Sequence, residues 1–456
     1  MRAVPCGVRS AGVRTPGSDA PAASFGRSPY GTGARRASAA ILAHVRVAIM
    51  TAGSRGDVAP YTGLGHGLAR AGHEVTLVTH GRFEPLVAGS GVGFHALPVD
   101  PRAVLESPRG QGLHLSGSGA GKLFRAVRMA RDVVGRMVGD VVAAARASDV
   151  LLLSPTMAPL GHAVAEGLRL PSMGVNLQPL APTREFAPPM TGVRSWGPVG
   201  NRAAGHAVNL AVESIFAGEI RRLPAAHGVP RTATGPRTRE RRGWPVFHGF
   251  SPRVVPRPGD WRDGLDITGY WWPYDREDRL PPDLLDFLDA GPPPVFVGLG
   301  SATVPDPERL SSEVVRALRA AGLRGVIQRG WSELRGGGGD MFTVGEVPHS
   351  LLFPRTAAVV HHAGAGTTAA GLRAGVPAVP VPIQFDGAFW ASRLTALGVS
   401  PGAVPLRGLT AAGLETALRR ATGTPSYGRR ARQVAEELRA EDGVGPVLEA
   451  VNRLAG

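Results

Sequence analysis

The sequence has only one cysteine, one lysine and no long apolar run. Cys6 has no partner for an intramolecular disulfide, and no His/Cys spacing resembles a zinc site, which excludes a disulfide framework and a structural zinc domain. Prolines and charged residues interrupt even the apolar segment 150–175, so no stretch reaches transmembrane length. We therefore expect a cytoplasmic protein that is not stably inserted in a membrane.

The chain of 456 residues carries a formal net charge of +15 at pH 7, nearly all of it from arginine. Such a charge is typical of proteins that bind nucleic acid or anionic lipid. Here the arginines are scattered and Lys122 is the single lysine, which is typical of the coding bias of a GC-rich genome. We expect no nucleic-acid partner, and the sequence leaves the oligomeric state open.

Residues 1–44 differ from the rest because they carry six arginines against one aspartate and lack an apolar signal core. The composition is similar to that of a transit peptide, but a disordered extension or an upstream start codon explains it equally well. We expect this leader to lie outside the fold.

Short apolar runs alternate with helical patterns along the remaining chain, and its length predicts two domains. The runs that predict strands are 45–50, 75–78, 149–153, 172–175, 295–298, 325–328, 342–344, 357–360 and 378–381. This rhythm predicts an α/β protein with two doubly wound, Rossmann-like domains and a ligand cleft at the carboxyl ends of the strands. We place the domains at 45–270 and 283–456, with a linker at 271–282.

The charged run 275–279 within that linker has two interpretations. It is typical of a solvent-exposed linker, and the alternative is an acidic motif that binds a metal ion. Because no Asp-x-Asp occurs there and no strand precedes the run, we expect no bound metal.

The segment from His361 to Thr368 follows a predicted strand and opens a helix through a glycine-containing turn. Free N–H groups and the positive end of the helix dipole favour an anion there, and His362, Thr367 and Thr368 add donors. Neither a dinucleotide fingerprint nor a Walker loop has this spacing. The implied ligand is a diphosphate, although a bare glycine turn between a strand and a helix remains the alternative.

The segment from His361 to Pro377, continuing through Phe385-Asp386 and Phe389-Trp390, resembles the donor signature of family 1 glycosyltransferases. Within that family, the likeness is to bacterial natural-product and sterol glycosyltransferases. Further motifs follow in the family's order: Gly53–Val58, Asp260-Trp261, Thr268–Trp271, Gly298–Ser301 and Val347–His349. The resemblance covers the chain from about Arg46 onward and implies the GT-B fold.

The resemblance implies an N-terminal domain that binds the acceptor and a C-terminal domain that binds a nucleotide sugar, with the last helix crossing back. His362, Gly364, Gly366 and Thr367 would hold the diphosphate, and Asp386 the sugar. Three further residues would bind the donor. Ser301 would contact phosphate or sugar, Trp331 would form an apolar wall or stack for the base, and Val347 would contact the base through its backbone. A core position is an equal interpretation for the tryptophan.

Asp57 is the candidate catalytic base, because related enzymes present an aspartate to the acceptor at this point of the Gly53–Val58 motif. Asp is also favoured in the first turn of a helix for dipole reasons, and both roles can coexist. The loop 178–200 is the candidate acceptor wall, with Gln178, Phe186 and Met190 as acceptor-binding residues. A disordered surface loop is the alternative.

Three positions depart from the pattern of the relatives. Ala363 replaces a glycine beside the phosphates, and Gly387 replaces a glutamine that contacts sugar hydroxyls. A deoxysugar donor would leave fewer hydroxyls without a partner at such a site. Ala370 replaces a ribose-binding glutamate, which is compatible with a thymidine nucleotide but leaves UDP open.

These observations predict an inverting glycosyltransferase that needs no cofactor or metal. It would move a sugar from a UDP- or TDP-sugar to a hydroxyl of an apolar small molecule such as a polyketide, macrolide or sterol. The absence of the glutamine amide favours a deoxysugar. Three alternatives remain open: a nucleotide-sugar epimerase of the same fold, a non-catalytic nucleotide-sugar binder and, more remotely, a basic scaffold protein.

Overall fold

Two parallel β-sheets organise the chain, which we describe from a computed structural model covering residues 44–100, 119–383 and 386–455, with the backbone alone at 119–130 and 455. The leader predicted at 1–44 lies outside the described residues, apart from His44. Within the described part, no helix is both long enough and apolar enough to cross a bilayer.

The first sheet has seven strands in the order β3-β2-β1-β4-β5-β6-β7. Its strands are β1 (Arg46–Met50), β2 (Glu74–His80), β3 (Gly93–Leu97), β4 (Val150–Leu153), β5 (Ser172–Asn176), β6 (Val246–His248) and β7 (Leu265–Ile267). The accompanying helices are α1 (Arg55–Arg70), α2 (Gly119–Arg146), α3 (Ala158–Leu168), α4 (Gly197–His227) and α5 (Pro236–Arg241), with 3-10 turns at Gly81–Leu86 and Pro189–Thr191. All neighbouring strands are parallel, with Val47 opposite both Val75 and Val150.

The second sheet has five strands in the order β10-β9-β8-β11-β12. They are β8 (Val295–Gly298), β9 (Gly325–Gln328), β10 (Met341–Val344), β11 (Ala358–His361) and β12 (Ala378–Pro380). The helices are α6 (Pro282–Asp289), α7 (Pro307–Ala320), α8 (His349–Leu352), α9 (Ala365–Ala374), α10 (Gly387–Ala396), α11 (Ala411–Gly423), α12 (Pro425–Arg439) and α13 (Gly445–Ala455), with a 3-10 turn at Phe353–Arg355.

Both sheets reverse their strand order once, between β1 and β4 in the first and between β8 and β11 in the second. These central strands are buried on both faces, which explains their unbroken apolar runs. The reversal opens a crevice at the carboxyl ends of the two strands, where doubly wound folds bind ligands. The turn after β1 leads to Asp57, and the turn after β11 contains His362.

The connection between the two sheets is buried where it begins, at Trp271, and exposed at 275–279. Trp271 is fully buried in the core of the first sheet and donates from Nε1 to the carbonyl of Gly443 at 2.7 Å. The charged run 275–279 is exposed. The last helix, α13, returns to the first sheet, where Val447 and Val451 are buried in the same core as Trp271.

Candidate active site

His362 lies between two glycine backbones at the reversal point of the second sheet. A Cβ on Gly364 would lie 2.4 Å from Nε2 of His362, and a Cβ on Gly300 would lie 3.0 Å from its Cε1. Gly300 also has a positive φ of 58°, which favours glycine. The glycines of the turns after β8 and β11 are therefore required for the imidazole to occupy this place.

The first turn of α9 faces open space beside this histidine. Gly364 is the N-cap of α9, and nothing lies within 4 Å of a Cβ built on Gly366. Thr367 is half-buried in the same turn. Within the described part of the chain, the buried Nδ1 of His362 and Oγ1 of Thr368 have no hydrogen-bond partner. Buried polar atoms are rarely left unpaired, so this turn has the donors and the room for an anionic ligand.

Three histidines around the turn are neutral at pH 7. Burial lowers the pKa of His362 to about 4. Burial lowers the pKa values of His349 and His361 to about 3, with smaller contributions from Arg55 for His349 and from the neighbouring histidines for both. The backbone N–H of Ala363 donates to Nδ1 of His361 at 3.2 Å, which requires that nitrogen to be unprotonated. A diphosphate here would be held by N–H donors and the helix dipole, not by imidazolium charge.

Ala363 has a left-handed backbone, with φ of 61°, and a fully buried methyl group. The left-handed conformation costs an alanine roughly 1–2 kcal/mol relative to the right-handed one. The methyl group packs in the core that surrounds Trp390, which offsets part of that cost. The departure noted in the sequence is therefore accommodated with some local strain.

Asp57 closes the first turn of α1 at the reversal point of the first sheet. Its Oδ2 accepts hydrogen bonds from the backbone N–H of Ser54 at 2.8 Å and from the Ser54 hydroxyl at 2.9 Å. A Cβ on Gly53 would lie 2.5 Å from the same oxygen, so the turn depends on glycine. Burial raises the pKa of Asp57, and the Ser54 bonds oppose that shift. The helix-capping role considered for this residue is present.

The two halves meet at this point, because α1 packs against α9. Nε of Arg55 lies 3.5 Å from Oε2 of Glu346, which forms an ion pair between the halves. Burial raises the pKa of Asp386, a 2.7 Å hydrogen bond from Trp390 Nε1 opposes the shift, and the charge of Asp57 adds to it. The charge of Asp57 in the first half therefore influences Asp386 in the second.

The remaining donor-binding candidates lie around the second sheet. Ser301 is half-buried in the turn after β8, beside Gly300. Trp331 is half-buried after β9, and the Arg82 guanidinium of the first half lies 5.4 Å from its ring centroid. Val347 has a buried side chain just before α8, which leaves only its backbone for a ligand.

The acceptor candidates lie on one loop but in different environments. Gln178 is half-buried just after β5. The ring of Phe186 packs on Phe389 of α10 at 5.4 Å between centroids, which connects the loop to the second half. Met190 is exposed on the turn Pro189–Thr191, which itself lies against α10. The structure brings Phe186 to the donor side and leaves Met190 at the surface.

Hydrogen bonds anchor this loop near its start. Asp260 accepts hydrogen bonds from the Thr183 hydroxyl at 2.6 Å and from the backbone N–H of Arg184 at 3.0 Å. Oε1 of Glu185 accepts in return from the Gly259 N–H at 2.6 Å. Asp260 belongs to a motif that the sequence singled out without a role, and its role here is to anchor the loop.

Sequence reasoning missed several residues at the site. Arg55 was visible within the Gly53–Val58 motif, but nothing in the sequence indicated its partner Glu346. His80 accepts a 3.1 Å hydrogen bond from the N–H of Gly53 and so supports the turn before Asp57. No motif in the sequence indicates His80 or Arg82. His80 reaches Gly53 because β1 and β2 are neighbouring strands, and Arg82 reaches Trp331 because the two halves are in contact.

Comparisons with known proteins agree with this fold. Residues 47–172 match the family model of the glycosyltransferase family 28 N-terminal domain, and residues 328–454 match the erythromycin biosynthesis protein CIII-like C-terminal domain. The chain is 35% identical over 407 residues to the O-mycaminosyltylonolide 6-deoxyallosyltransferase of Streptomyces fradiae, covering 88% of this chain and 95% of that protein.

A second relative, the sterol 3-beta-glucosyltransferase of Cryptococcus neoformans, is 31% identical over 445 residues. That match covers 90% of this chain, which spans only 27% of the length of the fungal protein. A solved glycosyltransferase of Streptomyces sp. SF2575, complexed with thymidine diphosphate, superimposes with a TM-score of 0.60 at 22% identity, covering 90% of this chain and all of that one.

The fold and the paired reversal points define a GT-B protein, with two Rossmann-like halves facing one cleft. The chain belongs to the family 1 glycosyltransferases, as the Streptomyces fradiae relative shows over nearly its whole length.

Proposed function

We propose that this chain transfers a sugar, with inversion, from a UDP- or TDP-sugar to a hydroxyl of an apolar small molecule. One observation carries the proposal: Asp57 and the N-terminus of α9 lie at the reversal points of two sheets that meet at a common cleft. An alcohol held beside Asp57 would then face an anomeric carbon whose leaving diphosphate rests on α9.

The donor site uses neutral groups and a helix end. The N-terminus of α9 contributes about 0.3–1 kcal/mol of dipole stabilisation to an anion, and up to ~2 kcal/mol when partly buried. That is too little alone, so His362 and the N–H groups near Gly364 and Gly366 must act together. Because charge accumulates on the diphosphate as the glycosidic bond breaks, these donors stabilise the transition state more than the ground state.

Asp57 is proposed as the general base. A free aspartate has a pKa of ~3.9 and water one of ~15.7, so full deprotonation of an aliphatic alcohol before attack would cost about 16 kcal/mol. A concerted step avoids this cost, because the hydroxyl becomes acidic as its oxygen bonds to the anomeric carbon. The pair of Ser54 hydrogen bonds occupies Oδ2 and leaves Oδ1 for the alcohol proton.

The departing diphosphate lies on the side of the sugar opposite Asp57 in this proposal. Attack from the Asp57 side therefore inverts the anomeric centre, and the carboxylate takes up the proton that the alcohol releases. No cofactor or metal takes part in this scheme. The three neutral histidines add no positive charge to the donor pocket before the diphosphate enters.

The nature of the donor is the finer part of the proposal. The name of the Streptomyces fradiae relative states a 6-deoxyallosyl donor group, and that of the fungal relative a glucosyl group. We favour a deoxysugar because Gly387 supplies no side-chain amide. A Cβ there would lie only 3.0 Å from the carbonyl oxygen of His362, so a larger residue would displace that backbone. For the nucleotide, the thymidine diphosphate complex supports TDP, while the sterol relatives leave UDP open.

The acceptor is proposed to be an apolar natural product or sterol-like alcohol. Phe186 provides an aromatic wall near the donor side, and Gln178 a polar group at the end of β5. The names of the relatives support both macrolide and sterol acceptors.

Thermal unfolding with UDP, TDP and their sugars tests the donor, because a ligand of the native state raises the apparent stability. Product analysis with TDP-deoxysugars and TDP-glucose then tests transfer. Strong preference for glucose over every 6-deoxy donor would contradict the deoxysugar proposal. Release of an epimerised nucleotide sugar without acceptor consumption would favour the epimerase alternative.

A further inference from the structure

Exposed apolar side chains are concentrated in one segment. Six large hydrophobic side chains are exposed in the described part of the chain, and five of them lie between residues 190 and 210. Four lie within ten residues of one another, and we call them the Trp196 surface: Met190 (47% exposed), Val193 (59%), Trp196 (48%) and Val199 (77%). Grouped exposed hydrophobic residues mark interaction sites in soluble proteins.

The Trp196 surface is presented by an ordered backbone. The buried Asn201 accepts from the backbone N–H of Trp196 at 2.9 Å and donates to the carbonyl of Arg184 at 3.2 Å. Arg184 is in turn held by Asp260 through its own N–H. The exposure of these side chains therefore follows from a hydrogen-bonded framework and not from a loop end without contacts.

The segment that carries the surface has charged residues of one sign. Residues 186–212 contain no aspartate or glutamate, whereas Arg194 and Arg202 both lie in this stretch. Arg202 pairs with Asp260 at 3.7 Å, and Arg194 is exposed without an ion pair among the described residues. A tryptophan beside aliphatic residues and unpaired arginine is the composition that binds the headgroup region of anionic bilayers.

We propose that the Trp196 surface docks this protein onto an anionic lipid bilayer. Val193, Trp196 and Val199 would enter the headgroup region, and Arg194 would contact lipid phosphate. The docking goes beyond the proposed transfer reaction, since it needs neither donor nor acceptor. It would nevertheless place the loop that carries Phe186 next to the phase in which apolar alcohols accumulate.

Co-sedimentation of the full chain with lipid vesicles tests this proposal. We expect binding to phosphatidylcholine vesicles that contain phosphatidylglycerol, and weaker binding as salt is raised. The triple variant V193S/W196S/V199S should reduce the partition coefficient by at least about tenfold, and R194Q by about fivefold. The control L454S removes an exposed leucine of α13, outside the surface, and should bind as the parent does.

Several outcomes would overturn the proposal: no binding of the parent chain to anionic vesicles, equal binding by the triple variant, or dimerisation through the same residues in place of vesicle binding. Should the triple variant fail to fold, V193D alone decides, because Val193 is an exposed loop position and a carboxylate there is repelled by anionic lipid. Thermal shifts with UDP and TDP are measured in parallel. If vesicle binding is absent while nucleotides still bind, the docking proposal alone is wrong. If the parent chain binds no nucleotide, the proposed function is wrong.

Discussion

The two halves place their candidate groups at the same topological point but assemble them differently. In the C-terminal half, the site consists of glycine turns, a helix end and a wedged histidine, all within a few residues of β8 and β11. In the N-terminal half, Asp57 is also local, but the acceptor wall depends on Asp260 and Phe389, far away in the sequence. The comparison teaches that a candidate anion site can be formed by local sequence, whereas the candidate acceptor wall is formed by tertiary contacts.

The largest expected effect separates chemistry in the first half from binding in the second. Asp57→Asn should lower the turnover number by about 10²–10⁴-fold, because general-base assistance is lost, while nucleotide binding persists. Steady-state kinetics and a nucleotide thermal shift measure the two quantities. Asp263→Asn, an exposed aspartate of the same half, is the control. Unchanged turnover in the Asp57 variant would remove this residue from the base role.

Acidification tests whether the buried histidines of both halves are neutral. Burial lowers the pKa of the fully buried His248 to about 4, below its usual value of about 6.5. Between those values the unfolded chain binds more protons, so the free energy of unfolding should fall as pH is lowered from about 6.5 to 4. The loss is on the order of 3 kcal/mol for this histidine.

Chemical denaturation at several pH values measures that slope, and His248→Gln should reduce it. His248 packs on Trp261 in the first half, whereas His361, whose pKa is about 3, lies in the second half. The His248 variant therefore reports the contribution of the first half to the pH dependence. A free energy of unfolding that did not change between pH 6.5 and 4 would contradict the neutral state of these side chains.

His362→Ala tests the second half in isolation. It should weaken binding of the nucleoside diphosphate by about 10- to 100-fold, as expected for a lost hydrogen bond to a charged group. His362→Gln retains a donor and should recover part of the affinity. Calorimetric titration with TDP measures both. Equal affinity in the alanine variant would place the diphosphate elsewhere.

Asp260→Asn tests whether long-range contacts hold the acceptor wall. It weakens the anchor of Thr183 and Arg184 and should raise the KM for the acceptor by about tenfold, with the KM for the donor unchanged. The two Michaelis constants are measured with the other substrate saturating. A parallel rise of both would show that the loop serves the whole cleft and not the acceptor wall alone.

The smallest effect concerns backbone strain beside the phosphates. Ala363→Gly relieves a left-handed alanine but removes a buried methyl group, so the free energy of unfolding should change by less than about 1 kcal/mol. Gly322→Ala introduces the same strain, with φ of 71° and nothing within 4 Å of the added Cβ, and should cost about 1–2 kcal/mol. Denaturation midpoints compare the two variants. A similar loss in both would contradict the offset at Ala363.

Strand prediction succeeded where the strands are central. The runs at 295–298 and 325–328 are β8 and β9 to the residue, because strands buried on both faces need continuous apolar sequence. β3, β6 and β7 were missed. β6 and β7 are only three residues long and form because β5 already offers a hydrogen-bonding edge, which no local pattern can indicate.

The residues of the candidate site were named from sequence motifs, and their assigned roles stay predictions until the variants are measured. The motifs located Asp57, His362 and Asp386, but they gave no indication that the charge of Asp57 acts on Asp386 across the cleft. They also could not show that Asp260 holds the loop at Thr183 and Arg184. Contacts of this kind join residues that are distant in the chain.

The sequence by itself determined the two-domain α/β architecture, the glycine turns and the helix start at which we predict an anion to bind. These features follow from local periodicity and backbone preference, which act over a few residues. Only the tertiary structure decided that α1 meets α9, that Arg55 pairs with Glu346, that three histidines are neutral and that apolar residues near Trp196 face solvent. Burial and charge proximity set these properties, and both depend on how the two sheets are brought together.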